Sequence, residues 1–149
     1  MEWNCDRSIC LSRVCVAVFA LLLAALDVGA YWFVGFFIRL RGMTAPSGLL
    51  MMISVYLCSV FGWLVLWRLW RLLANMRLAR VFVSENVAHL RVVSWCCAAV
   101  AVICLFSSAY YLPFLVAAMA AAFMALIVRI VKNVFQQAVR MKDELDYTV

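Results

Sequence analysis

Four long apolar runs, separated by short polar connections, constrain the fold of this 149-residue chain more than any other feature. They cover residues 14–38, 49–73, 90–108 and 113–131. Each is about as long as the 20 or so residues that an α-helix needs to cross a bilayer. Hydrophobic residues make up 70% of the chain and charged residues 13%, far from the composition of a water-soluble domain. The sequence therefore predicts an all-α, polytopic membrane protein, a four-transmembrane-helix up-down bundle formed by one domain, residues 1–149.

The connections contain residues that end and start helices. Gly42 can end the first helix in a left-handed conformation. Ser84 is expected to cap the helix that enters the third run, and Glu85 lies in the first turn of that helix, where its charge suits the helix dipole. Pro113 suits the first turn of the fourth helix, which we expect to continue to about Leu145.

Positive charge is unequally divided between the two ends of the predicted spans. With the N-terminus in the cytoplasm, Arg39 and Arg41 are the only two of the 13 Lys and Arg residues on the outer side. Because cytoplasmic connections are enriched in Lys and Arg, we predict a multi-pass cell membrane protein with both termini cytoplasmic. Residues 74–89 then form a cytoplasmic loop and residues 132–149 a cytoplasmic tail. The net charge of +6 does not predict nucleic-acid binding, because the cations lie at span ends and form no known binding motif.

Asp27 is the one acidic residue inside an apolar run. An unpaired charge at that depth is costly, and this leaves two interpretations. Asp27 could be a proton or cation site, or it could be a neutral carboxyl that hydrogen-bonds Ser54, Tyr56 or Ser107 on a neighbouring helix. The second is favoured because no other ionisable residue is predicted at the same depth.

Aromatic and basic residues recur at helical spacing where the second run ends. They are predicted to anchor the span at the inner membrane interface; recognition of anionic lipid by the same residues is the alternative. The proposed anchors are Trp63, Trp67, Arg68, Trp70 and Arg71.

Chemistry-bearing motifs are absent from the sequence. It contains no nucleophile, metal-binding or phosphate-binding motif, and His89 is its single histidine. We therefore predict a protein that is not an enzyme and needs no cofactor or metal. Ala117, Ala121 and Ala125 form a small-residue ridge that suits packing within the bundle, and a homo-oligomer remains open.

Two stretches resemble a known family. Residues 80–91, RVFVSENVAHLR, resemble the segment pF(T/S)xENvxxLR of a family of small four-span bacterial membrane proteins catalogued as a domain of unknown function (DUF family 2975). The tail resembles that family's acidic ending, D-x-T-(I/V). The residues that match the turn motif are Phe82, Ser84, Glu85, Asn86, Leu90 and Arg91, and those of the tail are Asp143, Glu144, Asp146 and Thr148.

The resemblance implies no catalytic residues. Genes of the family often neighbour small helix-turn-helix regulators, which implies a regulatory role. The leading hypothesis is therefore a non-enzymatic bacterial membrane protein, regulatory or sensory, that acts through its cytoplasmic loop and tail on a cytoplasmic regulator protein. A small transporter or channel subunit that uses Asp27 is one alternative, and a structural or immunity-type membrane protein is another.

Overall fold

The computed structural model describes residues 2–42, 45–77 and 83–147. These residues form helices α1 (Glu2–Arg41), α2 (Ala45–Arg77), α3 (Ser84–Ser107) and α4 (Pro113–Tyr147), and no strand occurs among them. Each of the four is long and apolar enough to cross a membrane. The prediction of an all-α protein with four helices that could span a membrane is confirmed.

Helix ends follow the local sequence with one exception. α1 ends at Arg41 and is followed by Gly42, whose φ of 61° is the left-handed conformation expected there, and α4 begins at Pro113. The prediction that Ser84 caps α3 is wrong. The N-cap is Val83, which is extended and makes no side-chain cap bond. Ser84 is already helical, so its hydroxyl is not placed to accept from the next turn.

Two helices are much longer than a bilayer is thick. α1 has 40 residues and α4 has 35. At 1.5 Å per residue α4 is about 52 Å long, whereas the hydrocarbon core measures about 30 Å. The predicted fourth span, residues 113–131, is therefore only the first part of one continuous helix, which reaches Tyr147.

Consecutive helices pack side by side. Among the described residues, the backbones come close between α1 and α2, between α2 and α3, and between α3 and α4, and between no other pair of helices. The guanidinium of Arg13, near the start of α1, lies 4.6 Å from the ring centre of Trp70, near the end of α2. Ile38, near the end of α1, contacts Gly48 near the start of α2. The contacts thus run in opposite order along the two helices.

α3 is the most enclosed of the four. A third of its most apolar stretch is buried (33%), against 6% in α1. Most large apolar side chains of α1 are exposed, among them Leu21, Trp32 and Phe33. Such surfaces are compatible with contact to lipid, which is as apolar as they are.

Candidate functional site

The carboxyl group of Asp27 is held by two side chains of α2. The Ser59 hydroxyl donates to Oδ1 at 2.5 Å, and the indole N–H of Trp63 donates to Oδ2 at 2.8 Å. Because Ser59 and Trp63 are four residues apart, they lie on one face of α2. Tyr56, one of the partners predicted for the carboxyl, instead donates to the backbone carbonyl of Asp27 at 3.4 Å.

A cavity of about 680 Å³ lies beside this carboxyl. Asp27 and Ser59 form part of its wall, and α3 contributes Val100 and Cys104. The remaining lining is mostly aliphatic and aromatic, with residues such as Leu22, Leu26, Phe33, Met51 and Val55. Residues of all four helices line the cavity.

Ser54 and Ser107, the other partners predicted for Asp27, bond to each other. Ser107 donates to Ser54 at 2.8 Å, and the Ser54 hydroxyl lies 2.7 Å from the hydroxyl of Tyr110. Ser107 is buried. This cluster ties the first half of α2 to the end of α3. Nearby, the rings of Phe37 and Tyr111 meet edge to face at 5.3 Å.

A second polar network joins the opposite ends of α2 and α3. Nη1 of Arg68 lies 3.2 Å from Nδ1 of His89. Since a guanidinium can only donate, Nδ1 must accept, and the proton of the neutral ring is then on Nε2. Nε2 lies 3.6 Å from a carboxylate oxygen of Glu85, beyond hydrogen-bond range. Nε2 of His89 and Nε of Arg68 are both buried and have no hydrogen-bond partner.

Two asparagines form a further polar contact between α2 and α3. Nδ2 of Asn75 donates to Oδ1 of Asn86 at 3.1 Å, and the Asn86 side chain is completely buried, at 0% exposure. We call the set Arg68, Asn75, Glu85, Asn86 and His89 the inner junction. It contains buried polar groups as well as charged ones. It lies at the end of the α2–α3 pair that the sequence predicts to be cytoplasmic.

The residues of the predicted turn motif lie in different environments in the structure. Glu85 and Asn86 belong to the inner junction, and Leu90 is buried beside it. Ser84 and Arg91 are exposed. Phe82 lies outside the described residues.

The predicted interfacial anchors make different contacts. The guanidinium groups of Arg68 and Arg71 lie 5.3 and 5.9 Å from the ring centre of Trp67. The guanidinium of Arg13 lies over the ring of Trp70. Trp63, by contrast, donates to Asp27. Since α2 spans residues 45–77, Trp63 is near its middle.

The acidic tail belongs to α4. Asp143 and Glu144 are exposed on this helix. Asp146 lies in its last turn, with a side chain outside the described part, and Thr148 is beyond the described residues. No group of three or more His, Cys, Asp or Glu side chains that could hold a metal ion occurs in the part of the chain that the structure describes.

A family described as a protein of unknown function (DUF2975) matches residues 14–149. The chain belongs to this family. The match starts at the first predicted span and includes the helices that form the Asp27 site and the inner junction. No curated protein and no solved structure matches the chain.

Sequence reasoning did not predict three contacts of this DUF2975 protein: Ser59 with Asp27, Asn75 with Asn86, and Arg68 with His89. Helical spacing offered a signal. Arg68 and Asn75 are seven residues apart and Asn86 and His89 three apart, so each pair shares one helix face. Polar faces on two successive helices favour packing of those helices against each other.

Proposed function

We propose that this DUF2975 protein is a non-enzymatic bacterial cell membrane protein with a regulatory or sensory role. In this proposal the helices alternate in direction and both termini are cytoplasmic. The reversed order of contacts between α1 and α2 supports the alternation. The concentration of Lys and Arg at one end of the spans supports the orientation.

The extension of α4 is the observation that carries the proposal. The helix continues unbroken from Pro113 to Tyr147, about 20 Å further than the hydrocarbon core requires. Its last turns carry Arg140, Lys142, Asp143 and Glu144, all exposed. A polar helix that leaves the membrane is unsuited to lipid and well suited to bind a cytoplasmic regulator protein.

The inner junction supplies an element that could change state. It lies at the same end of the molecule as the α4 extension, and two of its buried N–H groups lack partners. A buried polar network that is only partly satisfied gives little resistance to an alternative arrangement. We therefore propose that the inner junction transmits changes in the packing of α2 against α3 to the cytoplasmic surface.

Asp27 favours a second candidate, a small transporter or channel subunit, because it lies on the wall of the 680 Å³ cavity. However, both carboxyl oxygens already accept hydrogen bonds from α2. Such a carboxyl links helices, and the transporter hypothesis is weaker for that reason. A structural or immunity-type role stays as a further alternative.

Transcript profiles of the host bacterium test the proposal. A strain that lacks the gene receives the full chain, a chain that ends after Gln137, or the Asp27→Asn variant, each at an equal amount in the membrane. We expect the deletion to alter a defined set of transcripts, and the full chain and Asp27→Asn to restore them. The truncated chain should fail.

Two results would contradict this account. If the deletion leaves transcripts unchanged, or the truncated chain restores them, the α4 extension has no regulatory output. If Asp27→Asn fails to restore them and also abolishes a proton or cation flux in proteoliposomes, the transporter hypothesis replaces the regulatory one.

A further inference from the structure

A groove of about 580 Å³ runs between α3 and α4, away from the Asp27 cavity. Three cations, Arg91, Arg129 and Lys132, form one end of it. Small apolar residues form its floor, including Ala98 and Ala122. The groove is thus strongly basic at its mouth and apolar along its length.

The charges at the mouth are unbalanced within the groove. No Asp or Glu is among the described residues that line it. Arg91 and Arg129 are exposed. Three like charges that line one end of a groove repel each other, and an anion placed among them would reduce that repulsion.

The depth of the groove matches the two-part chemistry of a phospholipid. From Arg91 at the mouth to Val102 on the floor, α3 rises about 16 Å. Arg91 lies at the start of the third predicted span and Lys132 just beyond the fourth, which is headgroup depth. The floor extends from there towards the bilayer centre. Ser94 donates to the carbonyl of Ala125 at 3.1 Å, so this hydroxyl already has a hydrogen bond.

We propose that this groove binds one anionic phospholipid, with its phosphate among Arg91, Arg129 and Lys132 and an acyl chain along the alanine floor. Trp95, which is 68% exposed at the rim, is suited to the glycerol and headgroup region. A soluble phosphate would leave the apolar floor unused. A second copy docked through the same face would add three more cations to the mouth.

The site differs from the anchors on α2. There Arg68 is engaged with His89, and Arg68 and Arg71 lie over Trp67. The cations of the α3–α4 groove instead line one end of a single groove. The inference is independent of the regulatory role proposed above.

Native mass spectrometry of the purified full chain tests the proposal, with phosphatidylglycerol and phosphatidylcholine of identical acyl chains. Three variants are compared. The mouth variant combines Arg91→Gln, Arg129→Gln and Lys132→Gln. Its matched control removes the same amount of charge elsewhere, by Arg39→Gln, Arg140→Gln and Lys142→Gln. The floor variant, Ala98→Leu with Ala122→Leu, fills the groove at constant charge.

We expect the wild type to retain one phosphatidylglycerol in preference to phosphatidylcholine. The mouth variant should bind it about tenfold or more weakly, since each cation near a lipid phosphate contributes substantially to binding. The control should bind like the wild type. The floor variant, if it remains helical and monodisperse, should also lose affinity; if it does not fold, the mouth variant and its control still decide the question.

Four results would overturn the proposal. Equal retention of the two lipids would remove the role of headgroup charge, and equal losses in the mouth variant and its control would indicate unspecific attraction. Competition by glycerol phosphate as strong as by the lipid would point to a soluble ligand. A dimer that the mouth variant abolishes would assign the groove to a second copy.

Discussion

At the scale of single residues, Asp27 depends on donors that only its neighbouring helix supplies. Ser59 and Trp63 each give one hydrogen bond to its carboxyl. A polar group in the membrane without a partner is costly. The contact therefore links α1 to α2, and α2 is the only helix whose backbone α1 approaches closely among the described residues.

Asp27→Asn should be tolerated, whereas Asp27→Leu should destabilise the protein. The asparagine oxygen can accept from Trp63 while its amide donates to Ser59, whose hydroxyl can act as acceptor. Leucine loses both bonds, at a cost of about 0.6–2 kcal/mol in the free energy of unfolding. Unfolding in mixed micelles measures both changes, with exposed Asp143→Asn as control. Equal stability of the leucine variant and the wild type would show that Asp27 does not hold the helices together.

Asn86 occupies the most enclosed position described, with 0% exposure. Asn86→Ala removes the acceptor for the half-buried Asn75 amide and should lower the free energy of unfolding by about 0.5–1.5 kcal/mol, the usual net contribution of one hydrogen bond. The control is Ala88→Ser, at an exposed position two residues away. A double-mutant cycle with Asn75→Ala should show that the two losses are not additive. Additive losses would mean that the two side chains act independently.

At the scale of the helices, the connection between α1 and α2 depends on a glycine. Gly42 has a φ of 61°, a region that costs other residues about 1–2 kcal/mol. Gly42→Ala should therefore reduce the free energy of unfolding by roughly 1 kcal/mol. Gly29→Ala is the matched control, because Gly29 is helical and a Cβ there meets nothing within 4 Å; it should be neutral or stabilising. Thermal unfolding that shifts equally in both variants would contradict this reading of the connection.

The helices themselves were predictable because apolar length and helix-ending residues are local properties. Gly42 and Pro113 end and start helices where the sequence predicts. The extension of α4 to Tyr147 also agrees with the prediction that this helix continues to about Leu145. The N-cap of α3 lies one position before the predicted Ser84, because helix ends are set by backbone geometry as well as by side-chain type.

The side-chain partners were not predictable in the same way. Spans that are apolar on every side give little indication of which faces meet. Asp27 was expected to find a hydroxyl on a neighbouring helix, and it does, but at Ser59. Ser54 and Ser107 point to each other instead. Which hydroxyl lies at the right depth depends on how the helices are staggered, and that is a property of the packed structure.

At the scale of the whole molecule, charge and burial are distributed along the chain in a consistent way. α3 is the most buried helix and α1 the least, and α4 leaves the predicted membrane region as a long polar helix. The inner junction, the basic mouth of the α3–α4 groove and the α4 extension all lie at the end that we assign to the cytoplasm. The proposed regulatory role requires this orientation.

Labelling of single cysteines tests that orientation most directly. In a chain without native cysteines, Thr44→Cys, Ser84→Cys and Arg140→Cys are each treated with a membrane-impermeant maleimide in spheroplasts and again after lysis. Our account predicts that Thr44→Cys reacts in intact spheroplasts, whereas Ser84→Cys and Arg140→Cys react only after lysis. Protection at Thr44→Cys, or reaction at either of the other two positions before lysis, would contradict it.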